Sequence, residues 1–349
     1  QSREAEARAR HAEAAGEAYG REEIDGTGPY CLAERREDGT TVLTRKRDWA
    51  RKGPGPALLG PDTIPPAGIA FVPYGEERDL LDALMEGRIN RTREAPFWAL
   101  GYLREDPRFA VTPAPGRAWS WHLGLVSGRP LLSDRRVRQA IGSAIDLGPI
   151  LAEEFAGEVL PAGHIVDPAV LDALPESEPG PFSLDPDRAD ALLVEAGWRR
   201  GPDGNRVKDG EVLDLVAYVP ARGPAKRMMT AIAGQLGTLG IAVTAREFEG
   251  ADYWRALGTG SYDLYVMGLP YRTAGEVMRL GFASSAVGAT NRVGWRDAAW
   301  TDLLLRQALL AASDAARRDT HHEVQRLLEN EFLWVPIAHE RHFWVDLVR

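Results

Sequence analysis

The chain has 349 residues and a formal net charge of −9 at pH 7, with a sequence pI near 5.4. This length allows two globular lobes with a substantial core. The acidic balance argues against nucleic acid or an anionic membrane as the main partner, and no apolar run approaches the roughly 20 residues of a membrane span.

The first part of the chain predicts a helix and then short strands. Residues 1–25 are rich in Ala, Glu and Arg without an apolar signal-peptide core, which predicts an exposed helical segment. Cys31, the single cysteine, lies in a strand-like run, and no neighbouring basic residue lowers its pKa, so we expect a strand-embedded thiol without a redox role. Asp38-Gly39 predicts a hairpin, Ile69–Val72 a short buried strand, and Glu77–Glu86 an amphipathic helix.

The segment 130–146 has the clearest helix signal of the chain. Ser133 and Asp134 occupy N-cap positions, and an apolar stripe follows at helical spacing. Three arginines near the positive end of the helix dipole, at 135, 136 and 138, need partners elsewhere. The stripe consists of Val137, Ala140, Ile141, Ala144 and Ile145.

The second half of the chain alternates strands and helices. The order of a strand at Leu213–Val219, a helix at Lys226–Leu239 and a strand at Ile241–Ala245 predicts a parallel crossover in an α/β lobe. A strand is expected over Gly260–Met267 and a long loop over 157–186. The other predicted elements are strands at Phe109–Val111, Trp119–Leu125 and Trp334–Ala338, and helices at Pro149–Phe155, Asp185–Ala196 and Asp314–Glu331.

Several of these motifs, in this order, resemble the family 5 extracellular solute-binding proteins of ABC importers. The most specific is the sequence motif Ser-Asp-x-Arg-Val-Arg-x-Ala-Ile-x-x-Ala-Ile-Asp at 133–146. Gly-Thr-Gly-Pro-Tyr at 26–30, the helix ending Glu-Ala-Gly-Trp at 195–198 and Gln-Leu-x-x-Leu-Gly-Ile at 235–241 are similar too. The resemblance implies an α/β fold with the type II, two-lobed architecture of periplasmic binding proteins.

The resemblance also implies a division into lobes. Residues 21–125 and 319–349 would form lobe I, and 126–318 would form lobe II with its own core. Family members carry a further section before the Gly-Thr-Gly-Pro-Tyr turn, so lobe I is expected to be incomplete in this chain.

Catalytic and metal sites are not expected. Adjacent His321 and His322 would point about 100° apart on a helix, and His339 and His342 would face opposite sides of a strand. No G-x-S-x-G motif occurs, and Ser133 is explained as a helix cap. We therefore expect no catalytic residue, no metal ligand and no cofactor.

The resemblance places a ligand site after the Gly260–Met267 strand. Peptide-binding relatives have Gly-Trp there and then an aspartate that pairs with the peptide amino group, whereas this chain has Gly-Leu-Pro-Tyr-Arg at 268–272. An arginine at this place suits a carboxylate or phosphate, although Arg272 would equally serve to cap a loop or to pair with a surface acid. The tryptophans are either core anchors or an aromatic wall. The candidate ligand-binding residues are Tyr271, Arg272, Trp295, Asn291 and Trp119.

The implied function is capture of a small polar or peptide-like solute by hinge closure, followed by docking on an ABC transporter permease. The alternative is a truncated relative that acts as a non-transport scaffold or protein-interaction module. A monomer without nucleic-acid partners is expected, in a periplasmic or extracellular location with or without a lipid anchor.

Overall fold

The computed structural model describes residues 29–46, 66–114, 118–286, 290–295 and 298–348. The chain divides into two compact units, 1–96 together with 346–349, and 97–345. The predicted helical segment 1–25 lies outside the described residues.

The first unit contains an antiparallel sheet in the order β1-β2-β3, made of Tyr30–Arg35, Thr41–Arg45 and Gly68–Phe71. The predicted hairpin joins β1 and β2: Gly39 has φ +84°, and the Thr40 N–H donates to the Asp38 carboxylate. Cys31 is embedded in β1, as predicted, with its Sγ 3.4 Å from the Thr44 carbonyl. The expectation of a buried β3 is wrong, because the Phe71 side chain is 58% exposed.

Helix α1, Glu77–Met85, confirms the predicted amphipathic helix. Leu81 and Leu84 are buried, and Gly87 follows the helix with φ +74°. A short strand β4, Arg91–Thr92, comes next. The chain end returns to this unit, where the Leu347 N–H donates to the Asn90 carbonyl.

The second unit contains the remaining elements. Its helices are α2 Phe97–Glu105, α3 Arg135–Ala144, α4 Leu147–Phe155, α5 Pro186–Glu195, α6 Pro224–Thr238, α7 Gly250–Leu257, α8 Ala274–Phe282, α9 Ala298–Leu309 and α10 Asp314–Asn330. Its strands are β5 Phe109–Pro113, β6 Ala118–Leu125, β7 Arg199–Arg200, β8 Arg206–Lys208, β9 Glu211–Val212, β10 Asp214–Pro220, β11 Ala242–Phe248, β12 Leu264–Tyr271, β13 Trp334–Glu340 and β14 Phe343–Leu347, whose last two residues belong to the first unit.

A five-stranded sheet in the order β11-β10-β12-β6-β13 organises the second unit. Strands β10, β11 and β12 are parallel, and β10 reaches β11 through α6, which confirms the predicted crossover. Strand β6 runs antiparallel to both of its neighbours. The sheet thus unites strands assigned to both predicted lobes, and the lobe boundaries 21–125, 126–318 and 319–349 stay a prediction.

The two faces of this sheet carry separate cores because side chains alternate along each strand. In β10, Leu215, Ala217 and Val219 join the core formed with α3, α5 and α6. Tyr218 joins the core formed with α8, α9 and α10. Every buried strand of the sheet therefore divides its side chains between the two faces.

Helix α3 confirms the clearest sequence prediction. The Asp134 side chain accepts the Arg136 N–H at the N-cap, and the predicted apolar stripe is buried. Each arginine has a partner, as expected: Arg135 donates to the Asn330 carbonyl, and Arg136 to Asp134 and the Glu195 carbonyl. Arg138 is 3% exposed and donates to Leu132, Ser133 and Glu331.

Candidate functional site

A cavity of about 560 Å³ lies in the second unit, where two parallel strands end. Strand β10 ends at Pro220 and β11 at Phe248, and both residues line the cavity. Helices α6 and α7 begin within four residues of these strand ends and contribute Pro224, Ala225 and Gly250. Crevices outside the carboxyl ends of parallel strands are the usual ligand sites of open α/β sheets.

The wall opposite these helices is formed by β12 and β6. Tyr218 of β10 pairs with Tyr265, so β12 continues to Tyr271, well beyond the level at which β10 ends. Strand β6 is antiparallel to β12 and brings Trp119 and Trp121 to the same place. Both tryptophans line the cavity, together with Val266, Met267 and Gly268.

Five of the fifteen lining residues are aromatic. Their rings come from β6, β11 and α7: Trp119, Trp121, Phe248, Tyr253 and Trp254. The cavity volume lies in the range of roughly 300–1,000 Å³ that is typical of small-molecule sites.

Gly268 fixes the position of the Trp119 ring. A Cβ atom added at Gly268 would overlap the indole nitrogen of Trp119. That nitrogen is buried without a hydrogen-bond partner among the described residues. The absence of a side chain at 268 therefore allows the Trp119 indole to lie against β12 at the cavity wall.

We expect Gly268→Ala to displace the Trp119 ring and to lower the free energy of unfolding by about 1–3 kcal/mol, the usual cost of overpacking. Urea denaturation and the tryptophan emission spectrum measure the two effects. Gly234→Ala in α6 is the matched control, because its new Cβ would meet nothing within 4 Å. It should leave stability unchanged or raise it by up to about 1 kcal/mol. Equal behaviour of the two variants would contradict this role of Gly268.

Among the described residues, two polar side chains of the lining are satisfied within the protein, whereas the Trp119 nitrogen is not. Trp121 Nε1 donates to Glu340 Oε2 at 2.8 Å, and the Tyr253 hydroxyl donates to the Val266 carbonyl at 3.4 Å. Burial raises the pKa of Tyr253 above its ordinary value. Among the described lining residues the charged ones are Arg222 and Glu249, which pair with each other at 3.3 Å on the outer rim.

Tyr271 lies on the opposite face of the sheet from Trp119. It is fully buried, its hydroxyl is 2.5 Å from Ser120 Oγ, and it accepts the Asp167 N–H at 2.8 Å. The strand that was expected to end at Met267 continues through residues 268–271 as part of β12. Alternation along β6 places Ser120 on one face and Trp119 on the other. Tyr271 is therefore a core residue in this structure and does not line the cavity.

Arg272 is exposed just after β12 and does not line the cavity. Its backbone N–H donates to the Glu276 carboxylate at 2.8 Å, while Thr273 caps α8 by accepting the Glu276 N–H. The segment thus belongs to a helix start, and the contact is made by the Arg272 backbone and not by its guanidinium.

We expect Arg272→Ala to change ligand affinity by less than about twofold, because the side chain lies away from the cavity. If Arg272 instead paired with a carboxylate of the ligand, the substitution would lower the affinity about a hundredfold, or by about 2.7 kcal/mol. Titration calorimetry with a bound solute distinguishes the two. A hundredfold loss would restore Arg272 as a ligand residue.

Asn291 and Trp295 are buried in the core beside α8 and α9. The Asn291 amide donates to the Ala283 carbonyl, and Trp295 Nε1 donates to Thr301 Oγ1 at 2.9 Å. Both side chains are less than a tenth exposed. Of the five predicted ligand residues, Trp119 alone appears among the residues that line this cavity.

Most of the lining was not predicted from the sequence, although a signal was present. Phe248 ends the second strand of the predicted crossover, Tyr253 and Trp254 follow within six residues, and Arg222 follows the first strand. The topological rule for open α/β sheets points to the residues that follow these strands. The predicted crossover thus indicates the site as well as the fold.

The four histidines considered as metal ligands have other roles. His321 Nδ1 lies 3.1 Å from Asp172, and His322 Nε2 donates to the Ala173 carbonyl. His339 contacts Ser120 Oγ, and His342 lies 3.7 Å from Glu340. Within the described ranges no group of three potential metal ligands occurs.

Comparison with known proteins gives consistent results. A family model described as bacterial extracellular solute-binding proteins, family 5 Middle, matches residues 4–287. Di/tripeptide-binding protein 2 of Pseudomonas aeruginosa is 28% identical over 254 residues, which are 69% of this chain and 44% of that protein. Heme-binding protein A of Haemophilus influenzae is 22% identical, over 91% of this chain and 55% of its own length. The chain thus spans about half the length of these curated relatives.

Solved structures show the same fold. NikA from Brucella suis in complex with Fe(III)-EDTA superposes with a TM-score of 0.78 at 22% identity, over 92% of this chain and 64% of that one. DppA from Helicobacter pylori in complex with the peptide STSA gives a TM-score of 0.75 at 19% identity, over 92% and 59%. The α/β fold of two-lobed periplasmic binding proteins, expected from the sequence, is confirmed. No described helix is both long and apolar enough to cross a bilayer.

Proposed function

Because this chain belongs to the family 5 bacterial extracellular solute-binding proteins, we propose that it is the substrate-binding component of an ABC importer. The observation that carries the proposal is the cavity at the carboxyl ends of β10 and β11, which has the size of a small-molecule site and is lined by side chains of the sheet and of two helix starts.

The proposed mechanism is capture of one small solute in this cavity and delivery to a transporter permease by the whole protein, in a periplasmic or extracellular location. The two curated relatives are a di/tripeptide-binding and a heme-binding protein, which supports a solute-binding role and leaves the solute class open. The role requires no catalytic residue. The comparisons do not favour the alternative, a non-transport scaffold, because the relatives named above are binding proteins.

The proposal is tested by identifying a bound solute. Protein purified from its native source without denaturation should release one small compound, at close to one molecule per chain, when it is unfolded and extracted. Adding this compound to stripped protein at about 100 times its dissociation constant should stabilise the fold by about 2.7 kcal/mol. Cells that lack the gene should fail to accumulate the labelled compound. A protein that carries no solute, in cells with unchanged uptake, would refute the proposal.

A further inference from the structure

The cavity offers aromatic rings and few polar groups to a ligand. Trp119 and Trp121 on β6 have ring centroids 6.3 Å apart with an interplanar angle of 59°. On the other side, Tyr253 and Trp254 of α7 are 5.3 Å apart with an angle of 63°. Phe248 completes the set at the end of β11. Tilted rings on two walls are the arrangement in which an inserted flat group finds both stacked and edge-on contacts.

The donors of these walls are already used or covered. The Trp121 N–H is donated to Glu340, and the Tyr253 hydroxyl is donated to the Val266 carbonyl. The Trp119 nitrogen is buried against Gly268. A polar ligand group placed between the rings would lose its hydration without gaining these hydrogen bonds, at a cost of about 1–3 kcal/mol.

The charges around the cavity disfavour a cationic ligand group, and the described charged lining residues offer an anion no unpaired partner. Arg222 and Glu249 neutralise each other on the rim, with side chains that are 82% and 69% exposed. The Arg292 guanidinium lies 5.6 Å from the centroid of the Trp254 ring. This ring already contacts a cation, so a second cation against it would meet like-charge repulsion. Neither an anion nor a cation finds an unpaired opposite charge among the described lining residues.

We infer that the cavity selects an uncharged, flat aromatic group of the solute, which inserts between the tryptophans of β6 and the aromatic pair of α7. This inference rests on the proposed function and specifies the substrate class of the same site. It replaces the expectation of an anionic group near Tyr271 and Arg272, neither of which lines the cavity.

The test compares three probes by titration calorimetry on the full chain, dialysed free of co-purified solute. N-acetyltryptophanamide is uncharged and aromatic, N-acetylleucinamide is uncharged and aliphatic, and N-acetyltryptophan is aromatic and anionic. The aromatic amide should bind at least about tenfold more tightly than the aliphatic amide, since several ring contacts each contribute. The anionic probe should bind no more tightly than the aromatic amide.

Two variants compare the loss of a tryptophan that lines the cavity with the loss of a tryptophan elsewhere. Trp254→Leu keeps an apolar side chain and removes one ring, so affinity for N-acetyltryptophanamide should fall about fivefold. Trp300→Leu is the matched control: Trp300 also lies on a helix and is 50% exposed against 54% for Trp254, and it does not line the cavity. It should change affinity by less than about twofold.

The outcomes distinguish the inference from the proposed function. Equal affinity for the two amides, no binding of either amide, tighter binding of the anionic probe, or equal effects of Trp254→Leu and Trp300→Leu would each overturn the aromatic preference. If the protein nevertheless carries a solute that cells without the gene cannot take up, the proposed function stands and the aromatic preference alone fails. If the aromatic amide binds as expected and uptake is unaffected by gene loss, the preference stands and the importer role fails.

Discussion

Replacing Arg138 by methionine should lower the free energy of unfolding by about 3 kcal/mol. The guanidinium is 3% exposed and donates to the Leu132 and Ser133 carbonyls, the Glu331 carbonyl and the Glu331 carboxylate. Methionine fills a similar volume and donates nothing, which leaves these buried acceptors unpaired. Breaking a buried charged pair costs roughly 3–5 kcal/mol, and we take the lower end because the Glu331 side chain is 29% exposed.

Arg136→Met is the control, since it removes the neighbouring arginine of the same motif. The Arg136 side chain is 48% exposed and its pair with Asp134 is solvated, so the loss should stay below about 1 kcal/mol. Urea denaturation of both variants gives the comparison through the midpoint at constant m value. Similar losses for Arg136 and Arg138 would show that the motif stabilises the fold by helix formation alone.

The protein should lose about 4 kcal/mol of stability between pH 6.0 and pH 4.5 through two buried histidines. Burial lowers the pKa of His122 to about 3 and that of His339 to about 4. Below pH 6.5, the ordinary pKa of histidine, both side chains are protonated in the unfolded chain and neutral in the folded protein. The free energy of unfolding therefore falls as pH falls. Each histidine contributes about 1.4 kcal/mol per pH unit over this window.

His164 changes the pH dependence of stability in the opposite sense, and its effect falls outside the range from pH 6.0 to pH 4.5. Its hydrogen bond to the buried Glu329 carboxylate, 3.1 Å away, raises its pKa. Its stabilisation is complete below the unfolded pKa and disappears as pH rises through the folded pKa. His164 therefore adds no slope between pH 6.0 and pH 4.5.

His122→Gln provides the test, because glutamine can still donate to the Ile165 carbonyl that accepts the His122 Nε2–H at 2.9 Å. The variant should lose about 2 kcal/mol less stability between pH 6.0 and pH 4.5 than the wild type. Urea denaturation at pH 6.0, 5.25 and 4.5 gives the slopes. Parallel slopes for variant and wild type would show that His122 titrates normally.

The local elements with strong chemical signals were predictable from sequence. The Asp134 cap and the apolar stripe define α3, and Gly39 and Gly87 mark a hairpin and a helix end through their left-handed conformations. Strand, helix and strand at 213–245 correctly implied a parallel crossover. These features depend on neighbours within a few residues, so periodicity and capping suffice to find them.

The site was harder because it depends on register. Trp119 and Tyr271 were placed in one site, yet β6 and β12 pair so that their side chains fall on opposite faces of the sheet. Helices α7 and α8 begin directly after strands and were not predicted, so Tyr253 and Trp254 were missed. A shift of one residue in the pairing of two strands moves every side chain of a strand to the other face of the sheet. The residues next to a given position do not determine this pairing.

One small solute should bind in the cavity at the ends of β10 and β11. Native mass spectrometry of the wild type, Ala221→Trp and Thr230→Trp measures this binding. Ala221 lines the cavity, and its backbone N–H donates to Phe248, so tryptophan there should fill the site. Thr230 is an exposed residue on the outside of α6. We expect one bound solute in the wild type and in Thr230→Trp, and none in Ala221→Trp. A solute retained by Ala221→Trp, or absent from the wild type, would contradict it.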